Sequence, residues 1–235
     1  MVAVLVVLTF VVLVALDYFV FSKRYPAGAS NQRPARAAVR PLSAATQPVP
    51  FGVFLQPSFT WSRLSDSGDV DVGVHPLLAE LVGTPLELEL RDPGERIAKG
   101  EPLLRIGQGG RHLTVRSPIT GRVAEVKALT PARETAGEGH GVGSYAAALY
   151  RVRPERLADE IATWLTGEEA VAWTRRRYAD LRGYLLGAVA DRHLGAVMAD
   201  GGELPVGILR EMDERVWAGV DELLLAPDVR REDGP

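Results

Sequence analysis

The sequence contains no cysteine among its 235 residues. Disulfides, thiolate metal ligands and cysteine nucleophiles are therefore excluded. Lysine is scarce as well: Lys23, Lys99 and Lys127 are the only three, and all other basic side chains except the histidines are arginines. Any chemistry that requires a lysine amine is thus confined to three positions.

The sequence also lacks the motifs of known catalytic and metal sites. Glycines alternate between 137 and 143, but not as a dinucleotide fingerprint or a P-loop, and Asp200 and Glu203 flank glycines as a turn does, not as a calcium loop does. No histidine pair has metal-ligand spacing, so we expect surface or turn positions for all of them. The histidines are His75, His112, His140 and His193. We therefore predict no catalytic residue, no metal, no cofactor and no small-molecule substrate, and we expect that the protein is not an enzyme.

Charge is unevenly distributed along the chain. Residues 1–21 carry −1, residues 22–50 carry +5 without a single acid, and residues 51–235 carry −7, which together give the net charge of −3. An acidic body argues against nucleic acid as a partner. A basic strip next to an apolar segment is an orientation signal for a membrane protein.

The segment from Val2 to Phe21 predicts a transmembrane helix over residues 1–21. It consists almost entirely of Val, Leu, Ala and Phe, and twenty helical residues span roughly 30 Å, the thickness of the hydrocarbon core. Tyr18 is placed for the interface, and Lys23 and Arg24 follow directly. A cleaved signal peptide is the alternative, but the apolar run is too long and no basic residue precedes it.

The positive charges lie only after this helix, so the positive-inside rule places the N-terminus in the periplasm and the body in the cytoplasm of a bacterial inner-membrane protein. Asp17 is the only ionisable group inside the span. It is either a solvated residue at the end of the helix or a polar contact to another transmembrane helix. The predicted membrane or partner contacts are Asp17, Tyr18, Lys23 and Arg24.

Residues 22–50 are rich in Pro, Ala, Gln, Ser and Arg and have no apolar period. This composition predicts an irregular tether. Its arginines, Arg24, Arg33, Arg36 and Arg40, are expected to contact anionic lipid headgroups.

From Phe51 onward the pattern changes to short alternating strands separated by turns. Phe59–Leu64 and Val70–Val74 predict a hairpin, and His75–Val82 predicts a short helix that Gly83 ends. Further alternating runs continue to Pro154, so the sequence predicts a small β-sandwich or barrel.

The series of motifs in this region resembles the H protein of the glycine cleavage system. Its members share order and spacing with that family: Ser58–Trp61, Val72–Val74, Leu81–Gly83, Leu86–Gly94, Lys99–Pro102 and Ser117–Val126. The resemblance covers residues 51–154 and implies a barrel-sandwich hybrid, akin to lipoyl and biotinyl domains. The glycine stretch 137–143 and the strand ending at Pro154 resemble a degraded form of the family's closing turn and last strand.

One departure from the family affects function directly. The family presents Glu-Ser-x-Lys on a hairpin, and the lysine carries lipoate. Here the corresponding stretch is Gly107 to His112, and Gly110 stands at the lysine position. The neighbouring Arg111 cannot substitute, because a guanidinium stays protonated and is not an acylation nucleophile. The carrier role and its site residue therefore do not transfer.

Residues 155–235 predict a helical extension, which makes the whole chain α+β. Apolar residues predict one helix from Pro154 through Leu165, a second after the capping box at Thr166–Glu169, and a third from Leu209 to Leu224. These apolar stripes pack either on each other and the barrel or against another subunit.

Together these features predict a non-catalytic, membrane-anchored subunit that assembles or stabilises a larger bacterial membrane complex of electron transfer. The layout is similar to that of the H subunit of photosynthetic reaction centres, although no sequence match supports that likeness, and a respiratory complex fits the same layout. The expected partners are other membrane subunits. The alternatives are a carrier or accessory of the lipoyl pathway and a free, membrane-attached regulatory binding protein.

Overall fold

A computed structural model describes Leu42 and residues 47–84, 86–127, 144–190 and 204–225. The predicted membrane helix, most of the tether, His140, His193, the glycines of 137–143, and Asp200 with Glu203 lie outside the described residues, as do Asp17, Tyr18, Lys23 and Arg24. Within the described residues, no helix combines the length and apolar character needed to cross a bilayer.

Nine strands and four α-helices follow one another along the described chain. The strands are β1 (Phe54–Gln56), β2 (Thr60–Leu64), β3 (Val70–Val74), β4 (Glu87–Leu90), β5 (Arg96–Ile97), β6 (Pro102–Gln108), β7 (Arg111–Arg116), β8 (Gly121–Val126) and β9 (Tyr150–Pro154). The helices are α1 (Pro76–Val82), α2 (Leu157–Glu160), α3 (Gly167–Ala190) and α4 (Glu214–Leu225), with 3-10 turns at Ile161–Thr163 and Ile208–Glu211.

The strands form two antiparallel sheets. One has six strands in the order β1-β2-β3-β9-β8-β5, and the other has three in the order β4-β6-β7. Alternate residues of β7 are buried, as the alternation in the sequence predicts, whereas β2, β3 and β6 bury most of their residues, including consecutive ones. The predicted small β domain, including its final strand ending at Pro154, is confirmed.

Close backbone approach requires glycine at several points, and two of them lie at the hairpin and at the end of α1. A side chain on Gly107 of β6 would meet the Arg111 carbonyl oxygen at 2.1 Å. A side chain on Gly83, which ends α1, would meet the Cα of Gly207 at 2.6 Å, and Gly83 also has a φ of +77°. The second contact holds the C-terminal 3-10 turn against α1.

The helical extension differs from prediction in two places. No continuous helix runs from Pro154 to Leu165, because Leu165 pairs with Leu55 of β1 by two hydrogen bonds of 2.8 Å and the backbone there is extended. The last helix begins at Glu214 and not at Leu209, since Asp213 caps it by accepting a hydrogen bond from the Val216 amide at 3.0 Å. The long middle helix is confirmed as α3.

The barrel and the extension share one hydrophobic core. All four tryptophans of the sequence are buried, and three of them, Trp164, Trp173 and Trp217, lie in the extension. Gly219 of α4 faces the ring of Tyr184 on α3, where a side chain would overlap the Tyr184 hydroxyl. The sequence left two alternatives for the apolar stripes of the extension: packing on each other and the barrel, or packing against another subunit. The first alternative accounts for the residues that are buried.

Candidate functional site

The hairpin of β6 and β7 is the place where the carrier lysine would stand. Gly109 and Gly110 form its two-residue turn, with φ of +60° and +77°. Positive φ at both positions is typical of a type I′ turn, and only glycine adopts it without cost. Both residues are exposed, and a side chain at Gly110 would meet no atom within 4 Å. The tip therefore has room for a side chain but presents none.

Neighbouring groups hold this tip in place. The Glu87 carboxylate of β4 accepts hydrogen bonds from the Gly109 amide at 3.0 Å and from the Gly110 amide at 3.4 Å. A carboxylate that binds two turn amides restrains the turn more than a neutral acceptor would.

The C-terminal segment forms hydrogen bonds with both strands of the hairpin, and we call this set of contacts the clasp. Arg111, the first residue of β7, donates to the carbonyl oxygens of Met212 and Arg210 and lies 5.6 Å from the centroid of the Trp217 ring. Arg210 in turn donates to the Gln108 side chain at 3.2 Å. Charge-assisted hydrogen bonds and a cation–π contact therefore join the hairpin to the extension.

The clasp continues along the edge of the three-stranded sheet. β7 is an edge strand, and the Thr114 amide donates to the Asp221 carboxylate of α4 at 2.6 Å. An exposed strand edge is otherwise open to pairing with other chains. In this protein α4 covers part of that edge, so the strand beside the former carrier position has an intramolecular partner.

Neither described lysine can replace the missing one at the tip. Lys99 lies in the turn before β6, and its Nζ donates to Thr163 at 3.0 Å. Lys127 follows β8 and forms an ion pair of 2.8 Å with Asp71. No group of three or more potential metal ligands occurs in the described part of the chain.

Of the two histidines in the described part of the chain, His112 is exposed as predicted, whereas the predicted position of His75 is wrong, because His75 is fully buried at the start of α1. Its Nδ1 accepts a hydrogen bond from the Leu77 amide at 3.1 Å, and its Nε2 lies 3.3 Å from the Thr174 hydroxyl of α3. The rings of Phe59, Tyr145 and Trp173 surround it. Burial lowers the pKa of His75 to about 3, so the ring is neutral at physiological pH. We call this cluster the aromatic junction.

Sequence reasoning identified the hairpin and its missing lysine but not the clasp. Arg111 and Met212 are 101 residues apart, and a guanidinium that binds backbone carbonyls leaves no local pattern. His75 carried a usable signal, since it directly precedes Pro76 and the apolar run of α1, which is where a helix-capping side chain occurs.

Comparisons with known proteins point to one family, although no family model matches the chain. The sequence is 31% identical over 102 residues to the glycine cleavage system H protein of Nitrosospira multiformis, covering 43% of this chain and 77% of that protein. It is also 31% identical over 113 residues to the H protein of a Psychrobacter species, covering 48% and 86%. Among solved structures, the H protein from Mycobacterium marinum aligns with 53% of this chain and 96% of its own, with a TM-score of 0.40 and 21% identity.

Proposed function

The chain belongs to the glycine cleavage system H protein family, and we propose that it is a non-catalytic member that anchors to a membrane and assembles or stabilises a larger membrane complex. One observation carries the proposal: the hairpin that would hold the carrier lysine ends in Gly109 and Gly110 and is gripped by the chain's own C-terminal segment. A carrier needs an amine at this tip that can reach other proteins. This chain uses the same hairpin as an internal attachment surface.

The membrane part of the proposal rests on the sequence of Val2–Phe21 and the basic residues after it. A helix of this length and composition spans a bilayer, and the charges favour a cytoplasmic body. An anchored body would stay within reach of other membrane subunits and of anionic headgroups near the tether arginines. Electron-transfer complexes, photosynthetic or respiratory, are the class that we propose, because this layout of one helix and a β-rich body suits such a subunit.

A second candidate is an accessory protein that interacts with the glycine cleavage enzymes without carrying lipoate. The observation in its favour is that the chain matches glycine cleavage H proteins over 77–86% of their own length. A free regulatory protein on the membrane is a third candidate, supported only by the predicted anchor.

Purification of the full chain in mild detergent, followed by mass spectrometry of the co-purifying chains, distinguishes these candidates. We expect membrane subunits of an electron-transfer complex in stoichiometric amounts. Glycine cleavage enzymes in their place would support the accessory role, and a chain that purifies alone would support the third candidate and contradict the first.

The anchor itself can be tested in the same preparation. Asp17 is an acid inside an apolar span, and losing one side of a hydrogen bond in lipid costs about 0.6–2 kcal/mol. Replacing Val2–Phe21 by an unrelated transmembrane helix should lower the yield of partners, and Asp17→Leu should do so more weakly. Full yield with both variants would show that the helix is a plain anchor and that recognition lies in the body.

A further inference from the structure

A groove of about 340 Å³ lies where the C-terminal end of α4 meets the barrel. Its size falls at the lower end of the range for pockets that enclose small ligands, roughly 300–1,000 Å³. Part of the lining is apolar and comes from Pro118, Leu224 and Leu225. The polar part includes Lys99 and Arg116, and none of the described residues that line the groove is a carboxylate. In a body whose acids outnumber its bases, a groove with cations and no acid favours an anionic ligand.

The hydrogen bonds of the polar lining also favour an anionic ligand. Lys99 and Arg116 each donate to a neutral oxygen, that of Thr163 at 3.0 Å and that of Gly100 at 2.9 Å. Neither takes part in an ion pair within the described part of the chain. The Nε of Arg116 and the Nε2 of Gln56 are buried without a hydrogen-bond partner, and Gln56 is only 2% exposed. The charged groups of Lys99 and Arg116 have more N–H donors than these contacts use, and an anionic acceptor in the groove would bind them.

The apolar lining indicates that such an acceptor carries a hydrocarbon part. Leu225 is 44% exposed and is one of four large apolar residues exposed in the described chain, whereas its neighbour Leu224 is buried. Covering apolar surface of this kind stabilises a complex, because the surface is removed from water. The carbonyl end of α4 also bears partial negative charge, so an anionic head is favoured beside Lys99 and Arg116 and a chain beside the leucines.

We propose that this groove binds a single-chain amphipathic anion of the fatty-acid type. The carboxylate lies between Lys99 and Arg116, and the hydrocarbon chain lies along Pro118, Leu224 and Leu225. This ligand site is independent of the proposed assembly role, because it requires neither a partner subunit nor the carrier hairpin tip. It also revises the expectation from sequence that no small molecule binds.

The test uses the full chain in nanodiscs of zwitterionic lipid and a decanoic acid probe that bears a photoreactive diazirine on its chain. After irradiation, mass spectrometry of peptides locates the label. We expect labelling of the peptide that contains Leu224 and Leu225, competed by decanoate but not by decanol, which lacks the charge, or butyrate, which lacks the chain. Labelling elsewhere only, or equal competition by decanol, would overturn the proposal.

Variants separate a built site from general partitioning into the lipid. Lys99→Gln and Arg116→Gln should each reduce groove labelling about fivefold, the effect of removing one partly exposed charge-assisted contact. Arg122→Gln, which removes an exposed arginine outside the groove, is the matched control and should leave labelling unchanged. Unfolding temperatures close to that of the parent chain show that each variant is folded. Equal labelling in all three variants, or competition only by anionic phospholipid added to the nanodiscs, would contradict a site for a single-chain anion.

Discussion

The clasp and the aromatic junction both fasten the helical extension to the barrel, but they do so by different physics. The clasp is polar and lies at the protein surface. In it, Arg111 donates to a backbone carbonyl of the C-terminal segment, and Asp221 accepts from a backbone amide of β7. The aromatic junction is buried and consists of aromatic rings around a neutral histidine, with Phe59 and Trp173 packed at a centroid distance of 5.0 Å and the buried Arg177 guanidinium 5.4 Å from the Phe59 ring. We infer that the junction supplies stability, while the clasp fixes the position of a hairpin that a carrier would leave accessible.

The largest expected effect is therefore at the aromatic junction. Trp173 is 2% exposed and contacts Phe59 and His75. Trp173→Ala removes this packing and should destabilise the protein by about 3–5 kcal/mol, measured by denaturant unfolding. Trp173→Phe keeps an aromatic ring and should cost less. A loss below 1 kcal/mol for the alanine variant would mean that the junction does not hold the extension.

The junction should also make the protein sensitive to acid. The pKa of His75 falls from its ordinary value of 6.5 to about 3 on folding, because burial disfavours the charged ring. Its contribution to stability is complete above pH 6.5 and is lost as pH falls towards 3, since only the unfolded chain then takes up the proton. The slope is about 1.4 kcal/mol per pH unit in this window.

Unfolding free energies between pH 7 and pH 4 measure this slope. His75→Asn, which keeps a side-chain acceptor at the helix start, should lower stability at pH 7 but flatten the acid slope by one proton. His112→Asn removes an exposed histidine from β7 and is the matched control. Identical slopes in the parent chain and His75→Asn would show that His75 is not buried in its neutral form.

Changes to the clasp should have a smaller global effect and a clearer local one. Arg111→Met removes the contacts to Met212 and Arg210 and should cost about 1–3 kcal/mol. Hydrogen exchange of residues 208–225 should accelerate, while that of β1 to β3 stays unchanged. Arg105→Met on the adjacent strand, whose ion pair with Glu89 is half exposed, is the control and should cost less than about 1 kcal/mol. Unchanged exchange in Arg111→Met would show that the clasp does not hold α4.

The comparison also shows which features can be read from the sequence. Strand alternation, glycine turns and the capping box are local patterns, and they predicted the β domain and α3. The interruption of the helix at Leu165 was not predictable, because it depends on pairing with Leu55, 110 residues earlier in the chain. Arg111 acquires its role only through Met212, which is 101 residues away, and the contact of His75 with Thr174 spans 99 residues. The sequence thus predicted that the hairpin tip lacks the carrier lysine. It did not predict that the hairpin is attached to the C-terminal segment by the clasp.

We infer that this member of the H protein family uses its carrier hairpin for internal attachment and not for carrying lipoate. Intact-mass analysis of the full chain after co-expression with a lipoyl ligase tests this most directly, with a lysine-bearing H protein in the same cells to show that the ligase is active. We predict the unmodified mass, because Gly110 has no amine and the described lysines lie away from the tip. A lipoyl-sized increment on any lysine of this chain would contradict the account.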